Sequence, residues 1–300
     1  MRNRKSHSLT LKKKLNKCKG VFRAFSELQF KYGDELESND EVVEIKSNVV
    51  LEDCELGDYT TDFVCVKSNG ELRLYPLTKN FPKPLLVIKN KPIIDHLIDD
   101  LENGKKIDQY IIVSNHNFIN HFNEWKKTRS ENIIILDDGA TSNETRLGAV
   151  KDFYFAIEKL NINDDTIILA GDNLLEFSLN EFIGFYESKN KSCVMAYYEQ
   201  EMRVLQKCGV VEFNSNYKVI SMEEKPLEPK SNYVAPAFYL YRKEDLHLFK
   251  KGLESGCKID APGHFLEWAS KHTDTYVFIM PKNRIDIGTL EDYNKAKCMQ

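Results

Sequence analysis

Apolar residues recur along this chain in two alternating rhythms. From about residue 61 onward, short runs rich in β-branched and aromatic residues alternate with longer stretches whose apolar positions repeat every three to four residues. The runs at 62–67, 109–114, 132–136, 166–170, 192–198, 209–213, 218–223, 233–241 and 275–280 predict strands. The stretches 92–103, 117–127, 145–159, 180–189, 243–253, 263–271 and 290–298 predict helices. Continuous apolar runs such as Tyr110-Ile-Ile-Val113 and Thr166-Ile-Ile-Leu169 fit parallel strands buried on both faces. This alternation predicts an α/β protein with an open, doubly wound, mostly parallel sheet. Ligands of such sheets bind beyond the carboxyl ends of the strands, which decides where to look for chemistry.

The first sixty residues follow other rhythms. Leu11, Leu15, Cys18, Phe22 and Phe25 form a helical stripe within 8–30, with most Lys residues off it. Residues 31–41 are acidic and polar and read as a linker, and 42–57 alternate as one or two strands. The six-residue spacings Val43/Val49 and Ile45/Leu51 match the period of a hexapeptide β-helix coil. The expected division is therefore a basic amphipathic extension, residues 1–60, and a main domain, residues 61–300.

Charge sharpens that division. Arg2, Arg4, Lys5, Lys12, Lys13, Lys14, Lys17 and Lys19 crowd the first twenty residues, which hold none of the 46 acids of a chain whose net charge is −4. A basic arm can touch nucleic acid or anionic lipid. No aromatic or motif pattern supports nucleic acid, so a solvated tail or a helix resting on the acidic remainder is the favoured reading. Seven cysteines, an odd number without a Cys-x-x-Cys pair, argue against a disulfide framework and for a reducing compartment. The first twenty residues lack the apolar core of a secretory signal and no apolar run reaches membrane-span length, so a cytoplasmic location without a transmembrane segment is expected.

Candidate chemistry gathers in a few segments. Arg73-Leu-Tyr-Pro-Leu-Thr-Lys-Asn-Phe-Pro-Lys-Pro-Leu-Leu86 sets Arg73 ten residues ahead of Lys83, with Pro76, Pro82 and Pro84 stiffening the stretch. An Arg fork and a Lys point charge suit a polyphosphate clamp. Gly171-Asp172-Asn173 follows a buried strand, where a carboxylate can hold Mg²⁺ against phosphate oxygens; a turn Asp is the alternative. Ile285-Asp286-Ile287-Gly288-Thr289 precedes a helix, with Thr289 as N-cap for alternative. Glu224 and Lys225 lie in Met222-Glu-Glu-Lys-Pro-Leu-Glu-Pro-Lys230, which taken alone reads as a charged loop, and Gly209 permits close approach to the backbone. Main-chain groups around Gly139 and Thr141 can read a base edge, although Thr141-x-x-Glu144 also spells a capping box. Asp260-Ala-Pro-Gly-His-Phe-Leu-Glu-Trp268 reads as a helix start with a packed Trp. His116 and His121, five apart, do not form a zinc-binding face.

Taken together, these segments resemble the sugar-1-phosphate nucleotidyltransferases, the glucose-1-phosphate thymidylyltransferase-like family, in motif order and approximate spacing from about residue 62 to 297. The match rests on Arg73-Leu…Leu86, Gly171-Asp-Asn173, Cys208-Gly-Val-Val-Glu-Phe213, Glu224-Lys-Pro226 and Asp286-Ile-Gly-Thr289. The resemblance implies a Rossmann-like nucleotidyltransferase fold and Mg²⁺-dependent transfer from a nucleoside triphosphate to a sugar 1-phosphate. It implies Arg73 on the leaving pyrophosphate, Lys83 on the α-phosphate, Asp172 and Asp286 on the metal, and Gly209, Glu224 and Lys225 on the sugar phosphate. Homo-oligomers are compatible with it. One loop departs from the family: where it has glycines over the nucleotide phosphates, Lys67-Ser-Asn-Gly-Glu-Leu72 puts Asn69 and Glu71, leaving Gly70 between them. Asn69 and Gly70 are the nucleotide-binding residues expected there, and Glu71 repels a triphosphate. Arg284 stands where the family has an aromatic residue. The altered loop keeps a second reading open, a catalytically weak relative that binds sugar phosphate or nucleotide sugar and regulates a partner.

Overall fold

The computed structural model of the protein describes residues 11–13, 16, 22–24, 37–38, 40, 42–51, 59–67, 72–75, 81–142, 144–287 and 290–297. Contacts gather these into two units, Met1–Ile93 with Ile285–Gln300, and Ile94–Arg284.

In the first unit, β1 (Leu11–Lys13) and β2 (Phe22–Ala24) pair antiparallel, Leu11 opposite Ala24. The helix expected within 8–30 is thus replaced by strand at both described places, and the rest of that stretch apart from Asn16 lies outside the described residues. The reason is local: Leu11-Lys12 and Phe22-Arg23 alternate apolar with charged, and a continuous helix would carry Gly20 inside it at a cost of about 1 kcal/mol. Strands β3 (Val42–Leu51), β4 (Tyr59–Lys67) and β5 (Leu72–Tyr75) form an antiparallel sheet. Val43, Ile45, Val49 and Leu51 all lie on the one strand β3, so their six-residue spacing is that of a hairpin and not of a β-helix coil. A register irregularity between Val42 and Glu44 lets Val42 and Ile45, three apart, both be buried.

A 3₁₀ turn, Lys83–Leu85, follows and leads to the hairpin β6 (Val87–Ile88) and β7 (Lys91–Pro92). Lys89 and Asn90 between them both have positive φ, as a two-residue turn matching strand twist requires. The C-terminal helix Leu290–Lys297 belongs to this unit, where the Tyr293 hydroxyl donates to the carbonyl of Val87 at 2.7 Å.

The second unit opens with α1 (Ile93–Gly104), whose first residue closes the first unit. Then come β8 (Tyr110–Ser114), α2 (Ile119–Lys126), β9 (Ile133–Asp137) and α3 (Ala149–Leu160). They are followed by β10 (Thr166–Leu169), β11 (Asn173–Leu175), α4 (Leu179–Lys189), β12 (Ser192–Tyr198) and α5 (Met202–Leu205). Next are β13 (Gly209–Phe213), β14 (Val219–Glu224), β15 (Tyr233–Val234) and β16 (Phe238–Tyr241). Helices α6 (His247–Glu254) and α7 (Pro262–Ala269) and strand β17 (Thr275–Ile279) complete the order, and of the short strand β18 (Arg284–Asp286) only Arg284 belongs to this unit.

The α/β class and Rossmann-like alternation stand, and strand directions are more mixed than the buried apolar runs suggested. β8 runs parallel to β9, and β12 to β17. The ladders β10–β16, β16–β12, β12–β15, β15–β13 and β13–β14 are antiparallel. The run expected as one strand over 233–241 breaks at Pro236, which has no N–H to give a ladder.

Strand β12 shows why the sheet is covered on both faces. Val194 and Ala196 belong to one core cluster, with Val150 of α3, Phe249 of α6 and Phe265 of α7. Cys193 and Met195, pointing the other way, belong to a second cluster with Leu97 and Leu101 of α1 and Phe182 of α4. Helices on both faces are what a doubly wound sheet requires. Among the described residues, no helix is long and apolar enough to cross a membrane.

Candidate functional site

The clearest convergence of polar groups in the second unit lies around Glu224, at the end of β14. Its cross-strand partner on β13 is Gly209, and α7 packs along β14. A Cβ on Gly263, in the first turn of α7, would stand 1.9 Å from Glu224 Oε2 and 3.0 Å from Met222 Cε. A Cβ on Gly209 would stand 2.9 Å from that same oxygen and 2.4 Å from Met222 Cε. Two glycines thus make a slot that the Glu224 carboxylate and the Met222 tip enter. The room expected above Gly209 is used by the chain's own side chains.

Burial raises the Glu224 carboxyl above its usual range, neighbouring Lys225 opposes that shift, and Glu267 of α7 adds to it. Lys225 is exposed and adopts a left-handed backbone with φ of 53°, a conformation that costs a non-glycine residue about 1–2 kcal/mol. Its N–H donates to the carbonyl of Cys208 at 3.0 Å, fixing the turn that follows Glu224. Beside them, burial holds the His264 imidazole below its usual range, with Lys258 and Lys225 adding to the effect. The end of β14 and the first turn of α7 therefore carry a partly buried carboxyl, an exposed Lys and a His between them.

Asp172 lies beyond the carboxyl end of β10 and is half-buried. Its Oδ1 accepts a hydrogen bond of 3.0 Å from the Nδ2 of Asn173, whose own Oδ1 accepts from the guanidinium of Arg284. That guanidinium rests over the Tyr197 ring, 5.2 Å from its centroid.

The loop after β9 is organised by its own side chains. The N–H of Gly139 donates to Asp137 Oδ1 at 2.8 Å, that of Ala140 to Asp138 Oδ1 at 2.7 Å, and that of Thr141 to Thr145 Oγ1 at 3.1 Å. Gly139 has φ of 76°, which its lack of a Cβ permits. The capping box read at Thr141-x-x-Glu144 does not form: the helix begins at Ala149 after Gly148, with no side-chain cap. Thr145 Oγ1 takes the Thr141 N–H, which a capping box would have given to the Glu144 side chain, and the Ser142 N–H as well. His116, on the turn after β8, places Nδ1 2.7 Å from Asp137 Oδ2 and holds that carboxyl below its usual range, with the Gly139 N–H adding to the shift.

Arg73 sits in strand β5, opposite Cys65, rather than in a loop. Lys83 is the half-buried first residue of the 3₁₀ turn. Asp286, the last residue of β18, is exposed. These three belong to the first unit, and Asp172, Gly139, Thr141, Gly209, Glu224 and Lys225 to the second. Asn69, Gly70, Glu71, Gly288 and Thr289 lie outside the described residues.

Sequence reasoning missed Gly263 and Asp152. Gly263 gave one signal, a glycine in the first helical turn where propensity disfavours it. Trp268 of the same segment does pack, against Gly252 of α6. Asp152 in α3 keeps Oδ1 buried without a hydrogen bond among the described residues, and burial followed by the nearby charge of Asp138 pushes its carboxyl up to about 6. A raised carboxyl favours the folded state most below the unfolded value, near 4, and that advantage is lost as pH rises through about 6. Asp152→Asn should therefore raise stability at pH 7–8 and change it little at pH 4. A two-unit shift corresponds to about 3 kcal/mol, of which partial solvent screening leaves about 1–2 kcal/mol. Urea unfolding at the two pH values measures it, and an equal gain at both would refute this origin.

Helices on both faces of a mixed sheet, with polar groups gathered at strand ends, define a Rossmann-like α/β protein. A family model described as nucleotidyl transferase matches residues 70–299. The chain belongs to that family. It is 29% identical over 183 residues to the bifunctional protein GlmU of Methanocaldococcus jannaschii, covering 60% of this chain and 39% of that protein. It is 27% identical over 194 residues to the glucose-1-phosphate thymidylyltransferase of Mycobacterium tuberculosis, 62% of each chain. The chain thus spans less than two thirds of the length of either relative. Its fold matches a UDP-glucose pyrophosphorylase solved with UDP-glucose, at a TM-score of 0.59 and 19% identity, over 74% of this chain and 91% of that one.

Proposed function

We propose that the protein transfers a nucleotidyl group from a nucleoside triphosphate to a sugar 1-phosphate. A phosphate oxygen of the sugar 1-phosphate attacks the α-phosphorus in line. The bond from that phosphorus to its bridging oxygen breaks, pyrophosphate leaves, and a nucleotide sugar forms. No protein nucleophile is required, so the work is positioning and charge neutralisation. The single observation that carries this reading is the Glu224 slot between Gly209 and Gly263, with Lys225 on the next residue, in a chain of this family. Glu224 accepts sugar hydroxyls and Lys225 pairs with the sugar phosphate.

Arg73 is assigned to the pyrophosphate and Lys83 to the α-phosphate, with Asn69, Gly70, Gly139 and Thr141 contributing to the nucleotide site. The activity is assigned to residues 61–300. Asp172 and Asp286 are the residues that would hold Mg²⁺. A half-buried carboxylate with one oxygen already fixed suits it, because Mg²⁺ usually takes one or two carboxylates and completes its shell with water and substrate phosphates. When bound, Mg²⁺ would neutralise the charge of the triphosphate.

The test is isotope exchange: labelled pyrophosphate and a nucleotide sugar should yield labelled nucleoside triphosphate. No exchange with any nucleotide sugar, together with retained sugar-phosphate binding, would favour the regulatory reading. That reading draws on Asn69 and Glu71 standing where the family has glycines. Returning glycine to both positions should tighten nucleotide binding about tenfold, the effect of about 1.4 kcal/mol. Calorimetry that found no tightening would show that this loop does not lie over the phosphates.

A further inference from the structure

We propose that Arg284 and Asn173 form a relay that sets the orientation of the Asp172 carboxylate for a divalent cation. The proposal rests on the reading of Asp172 as a metal ligand and adds to it two residues that act through another.

An Arg guanidinium only donates hydrogen bonds, whereas a side-chain amide presents an acceptor on one side and a donor on the other. Because Arg284 donates to Asn173, the amide must turn its Oδ1 toward the guanidinium. That leaves Nδ2 facing Asp172, where it donates to Oδ1 at 3.0 Å. With no cation at position 284 the amide could flip and set oxygen against carboxylate oxygen, a repulsive contact. Asn173 is 2% exposed, so the flip has no solvent to soften it.

The guanidinium is itself held, lying 5.2 Å from the centroid of Tyr197, a β12 residue whose hydroxyl burial raises and Arg284 lowers. A rigid strand thus orients the cation, the cation orients the amide, and the amide orients the carboxylate. Ligands whose rotamers are fixed in advance bind a cation with less loss of freedom. An aromatic residue at position 284, which the family pattern would place there, could not direct the Asn173 amide in this way. The relay is therefore a property of this chain, tied to the Arg284 departure.

The measurement is Mn²⁺ binding to the full chain, followed by electron paramagnetic resonance of the free ion with a non-hydrolysable nucleoside triphosphate analogue present. Asp172→Asn should abolish specific binding. Arg284→Met and Asn173→Leu should each weaken it about five- to tenfold, and the double variant should be no weaker than either alone, because the two act in series. Arg284→Lys, which keeps a donor cation, should stay within twofold of the unsubstituted protein. A merely structural role for Arg284 would not reproduce this lysine rescue or the series behaviour. If Asp172→Asn abolishes binding while Arg284→Met leaves it unchanged, or if the two effects add, the relay is overturned and the metal reading survives. If Asp172→Asn leaves Mn²⁺ affinity intact, or the unsubstituted protein binds none, the metal reading fails and the relay with it. Arg284 is only half-buried, so its variants keep the test decisive even if Asn173→Leu does not fold.

Discussion

Asp172→Asn should leave the fold intact and lower nucleotidyl transfer by about 10²–10³-fold, the usual scale for losing one group that stabilises transition-state charge. The substitution preserves shape, and its side-chain oxygen can still accept the Asn173 amide that now meets Asp172. What it removes is the charge that would help hold Mg²⁺ against the triphosphate. A structural Asp in a turn would tolerate the change, so the two readings separate cleanly. Steady-state rates with saturating substrates, beside an unchanged far-ultraviolet spectrum, make the comparison. Near-normal turnover would remove Asp172 from the metal site.

The second large effect is expected at Gly263. Alanine is the better helix former, by about 1 kcal/mol, so on propensity alone Gly263→Ala would stabilise α7. The added methyl carbon would instead stand 1.9 Å from Glu224 Oε2, far inside the contact distance of a carbon and an oxygen that are not bonded. Glu224 must leave its slot, and overpacking of this kind costs about 1–3 kcal/mol. We expect weaker sugar 1-phosphate binding by about 10- to 100-fold, the equivalent of about 1.4–2.8 kcal/mol, with nucleoside triphosphate affinity within twofold. Gly209→Ala should act in the same direction and less strongly, since its nearest obstacle is the mobile tip of Met222. Unchanged sugar 1-phosphate affinity in Gly263→Ala would mean that the slot does not position Glu224 for substrate.

How far the sequence revealed this molecule varied with the kind of interaction. Strands β12 and β13 were legible to the residue, because buried β-rich runs with clear turn signals leave little choice of boundary. The helix expected from residue 145 starts at Ala149, because Thr145 spends its hydroxyl on loop N–H groups instead of on a helix. Strand direction was less legible, since an apolar run reads alike whether its neighbour runs parallel or antiparallel. The strand that carries Arg73, with its alternating Leu-Arg-Leu-Tyr, was not among the expected strands, overshadowed by the prolines that follow. Glu224 was visible as a motif residue, but its slot was not, because Gly263 comes from a helix 39 positions further on and only the packing of α7 on β14 joins them. Arg284 was visible as a departure from the family pattern, and its meaning emerged only with Asn173 and Tyr197 around it.

Transfer to a sugar 1-phosphate can be followed through the pyrophosphate it releases. A panel of nucleoside triphosphates against sugar 1-phosphates, with Mg²⁺ present and Asp172→Asn as control, should give turnover with one preferred pair and about 10²–10³-fold less in the variant. Such a result would name both substrates at once. No pyrophosphate from any pair, with calorimetry still recording sugar 1-phosphate binding, would contradict the enzyme reading and leave a binding protein built on the same slot.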